Sequence, residues 1–396
     1  MTVQILIAVS IRFLIYFVHW MVLAYLPVLF SLYGFSDVEI GVTIGIYSLS
    51  SMLLMLPMGI FSDYFSPKRI LLSGALLFVV YFISLLFLRS FAQLIPAVII
   101  GGIGAASLIV VSEALFLKIF GHKDRGKRIG IYQVATYLGF GLGPLTGGYL
   151  LQHHPQFIFY LAAAGSVLIF LIGLFSRDFE PIVFSFRQYG EDLVRFKPLL
   201  LMACIFVLGT HFGIEQTSFS LLLKKKLDFT TIMIGYVFAG LGLWMALAAP
   251  IIGRLHDKRT SVFLFFLGGL GVSGIFQVLT AWAHDFTSLL IIRIIHTLGD
   301  AVALLELSVL VAMFFPAHRL GGNSGLLFAI RTLATFLAAV LAGSVNKIWG
   351  YGASFIGNGV FVIAFVLLTV LFVMSRDDLR LSVGWHLLKR QKAGDR

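Results

Sequence analysis

Twelve long apolar runs, separated by short polar or glycine- and proline-containing stretches, constrain this chain more than any other feature. Each has about 20 residues or more, the length at which a helix crosses the hydrocarbon of a bilayer. With 59% apolar and 12% charged residues, the 396-residue chain cannot cover its own surface in water. We predict an all-α integral membrane protein with twelve transmembrane helices, near residues 5–33, 38–61, 70–88, 92–118, 129–151, 156–176, 198–223, 231–252, 261–282, 287–315, 321–346 and 352–375.

Basic residues are distributed unevenly between the two sides of these spans. The even-numbered connections and the two tails hold 21 of the 29 Lys and Arg residues, while the odd-numbered connections hold five. Because basic loops stay on the cytoplasmic side, we expect a multi-pass protein of the cell (inner or plasma) membrane with both termini in the cytoplasm. The net charge of +11 then reflects topology and contact with lipid headgroups, and we expect no nucleic-acid partner.

The sequence repeats once, at half its length. Residues 34–41 align with residues 228–235 at an offset of 194, and glycines in later spans keep an offset of 195. An even number of helices per repeat gives two pseudo-symmetric halves of the same orientation. The predicted divisions are an N-terminal six-helix half (1–177), a cytoplasmic linker with an interfacial helix (178–197), a C-terminal six-helix half (198–376) and a cytoplasmic tail (377–396).

This architecture resembles the major facilitator superfamily, and a loop motif agrees with it. The stretch 59–69 is similar to that family's loop between helices 2 and 3, although Tyr64 and Ser66 replace its usual Arg and Gly, and residues 253–259 repeat the motif. The resemblance implies a cytoplasmic latch that favours the outward-facing state, whereas the alternative is a plain turn with positive-inside charges. The residues concerned are Gly59, Asp63, Lys68, Arg69, Gly253 and Asp257.

The fifth span contains a glycine–proline stretch, 139–148, that is similar to the motif of the family's proton-coupled antiporters. Glycines spaced by four lie on one helix face and allow a neighbouring helix to approach closely. Close packing alone and an antiporter-type hinge or seal remain equal alternatives. The motif residues are Gly139, Gly143, Pro144, Gly147 and Gly148.

Ionisable side chains inside the spans concentrate on the first, fourth, seventh and tenth helices, which line the central cavity in the family fold. Such groups are costly in hydrocarbon and mark pathways for solutes or ions. The predicted substrate and proton pathway comprises His19, Glu113, His211, Glu215, Arg293, His296, Asp300, Glu306 and, on the eleventh helix, Arg331.

Spacing along the helices sharpens these expectations. His211 and Glu215 are four residues apart, as are His296 and Asp300, so each pair lies on one helix face and can share a proton.

Five ionisable residues inside the spans carry expectations of their own. Glu306 and Arg331 have similar depths on adjacent helices, which predicts an ion pair, either structural or switchable. Arg12 is expected to extend to the cytoplasmic interface, and Glu113 to pair either within the pathway or with Lys118. For His19, a hydrogen-bonded packing role is favoured over a ligand role.

The resemblance implies a secondary transporter that moves a small solute by alternating access, with protons and the lipid bilayer as its other partners. The fifth span favours proton-driven efflux. Proton symport of a small anionic or zwitterionic nutrient is the alternative, because Arg293 and Asp300 share a helix.

Other classes of protein are less well supported. A membrane enzyme lacks support because no HExxH, GxSxG or paired metal motif occurs and the half-length repeat suits rocking better than catalysis. No GxxxxGK[ST] pattern occurs, which argues against ATP as the driver, and a non-transporting receptor or assembly protein is a third class. We expect no enzyme activity, no cofactor, no metal and no obligate protein partner.

Overall fold

A computed structural model describes residues 3–120, 125–178, 196–257, 262–314 and 320–375; the side chains at 63–64, 117–118, 120, 125–129, 196–197, 257, 312–314 and 320–324 lie outside that description. All regular structure in these ranges is helical. The helices are α1 (Val3–Leu23), α2 (Leu26–Leu32), α3 (Asp37–Tyr64), α4 (Pro67–Phe87), α5 (Phe91–Phe120), α6 (Arg125–His153), α7 (Phe157–Gly173), α8 (Phe196–Ile214), α9 (Thr231–Asp257), α10 (Val262–Thr280), α11 (Phe286–Phe314), α12 (Leu320–Trp349) and α13 (Tyr351–Met374).

Twelve membrane-spanning units account for these helices. Within the described ranges, ten segments are long and apolar enough to cross a bilayer, with α1 and α2 together forming the first. The other two are α6, which has 29 residues but starts with charged ones, and α7, which has 17 apolar residues. The predicted all-α, twelve-span fold is confirmed. The predicted linker helix and the C-terminal tail fall almost entirely outside the described residues.

The first span is not the single helix that the sequence predicted. It breaks at Ala24 and Tyr25, after which α2 begins with Pro27 near its start. Proline has no N–H to donate to the carbonyl four residues earlier, so the α-helical ladder is interrupted at this point. The break places the aromatic ring of Tyr25 in the interior of the bundle, where it is fully buried.

The seventh span also departs from a regular α-helix. After α8 the chain continues through two π-helical segments, Glu215–Phe219 and Leu222–Lys226. Such segments insert an extra residue into a turn and are frequent at functional sites because they re-aim side chains. Here the first segment begins at Glu215, one of the predicted pathway residues.

The predicted repeat is visible in the backbone. Gly34 and Asp228, which the offset of 194 aligns, both have a positive φ, +86° and +54°, immediately before the helix that opens the next span. Gly tolerates this region freely, and Asp is one of the few other residues that visit it. The two halves therefore enter α3 and α9 through the same turn.

Two helix pairs hold the halves together. α3 packs along α12, and α6 packs along α9. A Cβ on Gly41 would lie 2.9 Å from the Cα of Gly343, and a Cβ on Gly242 would lie 2.5 Å from the Cα of Gly141. Small residues at these crossings let the backbones approach closely, as helix packing in lipid requires.

Candidate functional site

Five ionisable side chains from α8, its first π-helical segment and α11 converge in the C-terminal half. We call them the α8–α11 cluster: His211, Glu215, Arg293, His296 and Asp300. All but Glu215 are almost fully buried. Because a buried charge is costly unless it is paired, the meeting of these groups is what makes their burial tolerable.

The predicted pairs within each helix are present and are joined across the two helices. His211 Nε2 lies 3.6 Å from Glu215 Oε2, and His296 Nε2 lies 3.2 Å from Asp300 Oδ2. His296 Nε2 also lies 3.2 Å from Glu215 Oε1, and His211 Nε2 lies 3.5 Å from Asp300 Oδ2. Each imidazole therefore faces two carboxylates, and the Arg293 guanidinium contacts Glu215 as well.

Ser273 of α10 orients two members of this cluster, Asp300 and His296, through hydrogen bonds. Its hydroxyl donates to Asp300 Oδ1 over 2.7 Å, and its carbonyl oxygen lies 2.9 Å from His296 Nδ1. His296 Nδ1–H must be the donor to that carbonyl, which leaves Nε2 directed at the carboxylates of Glu215 and Asp300. Sequence reasoning missed Ser273, since an uncharged residue in an apolar span carries no electrostatic signal.

Donor atoms of the four acidic and imidazole groups in the cluster lie within 4.8 Å of one another, and these are atom types that bind divalent cations. The guanidinium of Arg293 already contacts Glu215, so a divalent cation would meet a positive charge at this place. The expectation that the chain holds no metal stays a prediction.

A cavity of about 230 Å³ lies between the two halves, and the cluster forms part of its wall. Glu215, Arg293 and Asp300 line it, whereas the two imidazoles lie behind them. Aromatic side chains from both halves supply much of the remaining surface: Tyr16, Trp20, Tyr47, Tyr137, Phe140, Phe212 and Phe328. This combination of apolar walls and a few charged groups is typical of a small-molecule site.

Arg12 and Glu113 form a second buried ion pair on the opposite wall, with Arg12 Nη2 3.0 Å from Glu113 Oε2. Arg12 also donates to the hydroxyls of Ser112 and Thr136, each over 3.0 Å, and its guanidinium lies 4.5 Å above the ring of Tyr16. The expectation that Arg12 extends to the membrane interface is wrong. These hydrogen bonds and the ion pair compensate its charge inside the bundle.

His19 makes packing contacts of the kind that the sequence favoured, and the choice between a packing role and a ligand role stays a prediction. Tyr47 Oη lies 3.1 Å from His19 Nδ1, and the imidazole stacks on the ring of Phe78 with centroids 6.1 Å apart. The residue also lines the cavity, so a contact with solute remains compatible with this position.

The predicted ion pair between Glu306 and Arg331 is wrong. Both carboxylate oxygens of Glu306 lie 2.9 Å from Nδ1 of His256 on α9. Arg331 instead lines the cavity, with its guanidinium above Phe328 and Phe212. Similar depth did not imply a shared face: at about 100° per residue, Glu306 lies about 120° around α11 from the cavity-lining Asp300.

The predicted latch residues are only partly described. Gly59 lies within α3 and Gly253 within α9, and the side chains of Asp63 and Asp257 fall outside the described part of the chain.

The basic pair of that latch is described. Lys68 Nζ donates to the carbonyl oxygen of Leu174, and the backbone N–H of Arg69 donates to Ser66 Oγ over 3.1 Å at the start of α4. The contact that the structure gives Lys68 is therefore within the N-terminal half, and the latch stays a prediction.

The glycines of the α6 motif provide close contacts with two neighbouring helices. Cβ atoms on Gly139, Gly143 and Gly147 would lie 2.7, 2.4 and 2.4 Å from backbone oxygens of α1. A Cβ on Gly148 would lie 2.3 Å from the carbonyl oxygen of Thr231 on α9. The motif therefore packs α6 against its own half and against the other half.

The end of the bundle away from Val3 and Met374 is bridged between the halves. The Tyr25 hydroxyl lies 2.9 Å from the carbonyl oxygens of Pro144 in the N-terminal half and Thr231 in the C-terminal half. Asp37 accepts from the hydroxyl of Tyr351 over 3.0 Å and lies 3.8 Å from Lys225. The cavity extends in the other direction, where Val311 near the end of α11 and Leu327 near the start of α12 line it.

Comparison with known proteins gives a consistent result. The family model of the Major Facilitator Superfamily matches residues 8–266 and 199–386. An uncharacterized MFS-type transporter of Methanocaldococcus jannaschii is 22% identical over 350 residues, covering 85% of this chain and 90% of that protein. The quinolone resistance protein NorA of Staphylococcus aureus is 23% identical over 343 residues, covering 84% and 87%.

Solved structures share the fold. The human organic anion transporter MFSD10 superposes with a TM-score of 0.72 at 20% identity, covering 92% of this chain and 98% of that one. Two halves of matching orientation, a cavity between them and a family model that spans nearly the whole sequence lead to one conclusion: this chain is a membrane transporter of small solutes and belongs to the Major Facilitator Superfamily.

Proposed function

We propose that this transporter exports a small amphipathic solute in exchange for protons, by alternating access. The single observation on which proton coupling rests is the α8–α11 cluster, in which each imidazole faces two carboxylates beside the cavity. Groups of this kind inside a membrane are the usual elements of proton pathways.

The charges of the cluster support exchange of one proton. Its two carboxylates and one guanidinium give a net charge of −1 when both imidazoles are neutral, so one added proton makes the cluster neutral. A proton on His296 Nε2 would bridge to both Glu215 and Asp300 at 3.2 Å. Loss and gain of that proton would change the charge that this wall presents to the cavity, and with it the balance between the two access states.

The direction of access follows from the predicted topology. With the termini in the cytoplasm, the bridged end at Tyr25 and Asp37 faces outwards and the cavity extends towards the cytoplasm. A solute would then enter from the cell interior. Two features support export: the similarity to a quinolone resistance protein, since a transporter most simply confers resistance by removing the inhibitor, and the antiporter-like motif on α6.

Proton symport of an anionic or zwitterionic solute is the second candidate, and Arg331 favours it. An anionic group beside this guanidinium and a proton in the cluster would attract each other across a cavity of low dielectric constant. Each would then raise the occupancy of the other, which is the thermodynamic requirement for co-transport.

Flux through purified protein in vesicles of known orientation tests both candidates. A pH gradient is imposed, a panel of labelled anionic, cationic and neutral aromatic solutes is supplied, and an internal pH dye reports proton movement. Solute and proton moving in opposite directions would support the exchange that we propose, and movement in the same direction would replace it with symport. Solute movement that is unaffected by the gradient would overturn proton coupling.

A further inference from the structure

Arg331 differs from the other two arginines that line the cavity. Arg12 is paired with Glu113, and Arg293 is paired with Glu215. Among the described side chains, no carboxylate lies within ion-pair distance of Arg331, and its contacts are the rings of Phe328 at 4.8 Å and Phe212 at 5.5 Å from the guanidinium carbon. A permanent positive charge therefore faces the cavity with no ion-pair partner among the described side chains.

The acids of the cavity wall are already engaged elsewhere. Glu113 and Glu215 hold arginines, and Asp300 holds His211 and His296. Glu306, which the sequence had paired with Arg331, is held by His256 on a different face of α11. Glu113 acts on Arg331 electrostatically, but its carboxylate lies beyond ion-pair distance and is paired with Arg12.

The surroundings of Arg331 indicate which kind of ligand would pair with its guanidinium. A guanidinium presents paired N–H donors that match the two oxygens of a carboxylate, or those of a sulfonate or phosphate group. The flanking rings of Phe212 and Phe328 provide flat apolar surface next to those donors. The cavity volume, about 230 Å³, accommodates a compact molecule.

We propose that Arg331 anchors the anionic group of the transported solute, and that the solute class is small organic anions with an aromatic or aliphatic body. This inference rests on the proposed use of the cavity as the solute site and does not depend on the direction of transport. The symport alternative in the sequence rested on Arg293 and Asp300, but Arg293 is occupied by Glu215, so the anion ligand proposed here is Arg331.

Equilibrium binding in detergent, without any gradient, tests the anchor. The probes are 1-naphthoate, the neutral 1-naphthamide and the cationic 1-naphthylmethylammonium, measured by calorimetry. We expect the wild-type chain to bind naphthoate at least about tenfold more tightly than the amide, because a charge-assisted hydrogen bond is stronger than a neutral one. Arg331→Gln should remove that preference and leave amide binding unchanged, while Arg331→Lys should retain part of it.

Lys347→Gln is the matched control, since it removes one positive charge from an exposed position on the same helix. Arg331→Gln should remain folded, because no described carboxylate loses its partner, and its thermal unfolding is compared with that of the wild type. The proposal is overturned if naphthoate does not bind the wild type, if it binds no better than the amide, or if Arg331→Gln keeps the preference for naphthoate.

The vesicle assay separates this inference from the proposed function. Suppose that Arg331→Gln loses the preference for naphthoate while the wild type moves no protons. The role of Arg331 as the anion anchor would then stand, and proton coupling would be rejected. Suppose instead that proton-coupled flux is equal for anions and neutral solutes and is unchanged in Arg331→Gln. Proton coupling would then stand, and the role of Arg331 as the anion anchor would be overturned.

Discussion

Both carboxylate oxygens of Glu306 lie 2.9 Å from Nδ1 of His256, on a face of α11 that is directed at α9 and not at the cavity. Glu306 is fully buried, so its carboxylate depends on this partner. The contact ties the final turns of α9 to α11 within the C-terminal half.

A double-mutant cycle tests the partnership. We expect Glu306→Gln and His256→Gln each to lower the free energy of unfolding by about 1–3 kcal/mol, since each weakens a charge-assisted hydrogen bond to a fully buried side chain. The double variant should be less unstable than the sum, with a coupling energy of about 0.5–3 kcal/mol in chemical denaturation. The comparison cycle of Glu306→Gln with Arg331→Gln should be additive within about 0.5 kcal/mol. Coupling in that second cycle would restore the ion pair that the sequence predicted.

Asp300→Asn should abolish proton-coupled solute movement while leaving the protein folded. The amide has nearly the same shape and can still accept the hydrogen bond from Ser273, but it cannot accept a proton or oppose the charge of a protonated imidazole. We expect solute-driven proton flux in vesicles to fall to background, with the unfolding temperature within about 5 °C of the wild type.

The control for this substitution is Lys347→Gln, which changes the net charge on an exposed surface of α12 and should leave the flux unchanged. If Asp300→Asn still concentrates solute against its gradient under an imposed pH difference, Asp300 is not part of the coupling mechanism.

Tyr25→Phe should loosen the bridged end of the bundle. The substitution removes one hydroxyl, which contacts Pro144 and Thr231 in opposite halves, and keeps the buried ring. Spin labels at the exposed residues Leu32 and Tyr236, in a Cys204→Ala background, report the separation of the halves at this end. We expect an added population at longer distance in electron–electron double resonance, since the closed state loses a cross-half contact. A distance distribution identical to that of the labelled protein with Tyr25 intact would show that the hydroxyl does not hold this end closed.

The features that the sequence predicted correctly depend on local chemistry. The length of an apolar run determines whether a helix can span the bilayer, and a charge inside such a run is costly wherever it lies. The spans could therefore be predicted from the sequence. So could two pairs, His211–Glu215 and His296–Asp300, because residues four apart lie on one helix face.

The features that it missed depend on how helices are rotated and paired. Arg12 forms an ion pair with Glu113, which lies 101 positions away in the sequence, and no local pattern predicts that contact. The partner of Glu306 depends on its direction around α11, which was not available from one helix considered alone. Ser273 and Tyr25 act through hydrogen bonds to distant backbone or side-chain atoms, and their residue types are common in packed spans.

Gly143→Ala should destabilise the packing of α6 on α1. A Cβ at this position would lie 2.4 Å from the carbonyl oxygen of Phe17, which is backbone and cannot rotate away, so the two helices must separate. We expect the free energy of unfolding to fall by about 1–3 kcal/mol, the usual cost of overpacking, although alanine is the better helix former. Gly268→Ala on α10 is the matched control, because a Cβ there meets nothing within 4 Å, and it should be neutral or slightly stabilising. Equal effects of the two substitutions in thermal unfolding would mean that the α6 glycines are not required for close approach, and would leave a hinge as the reason for the motif.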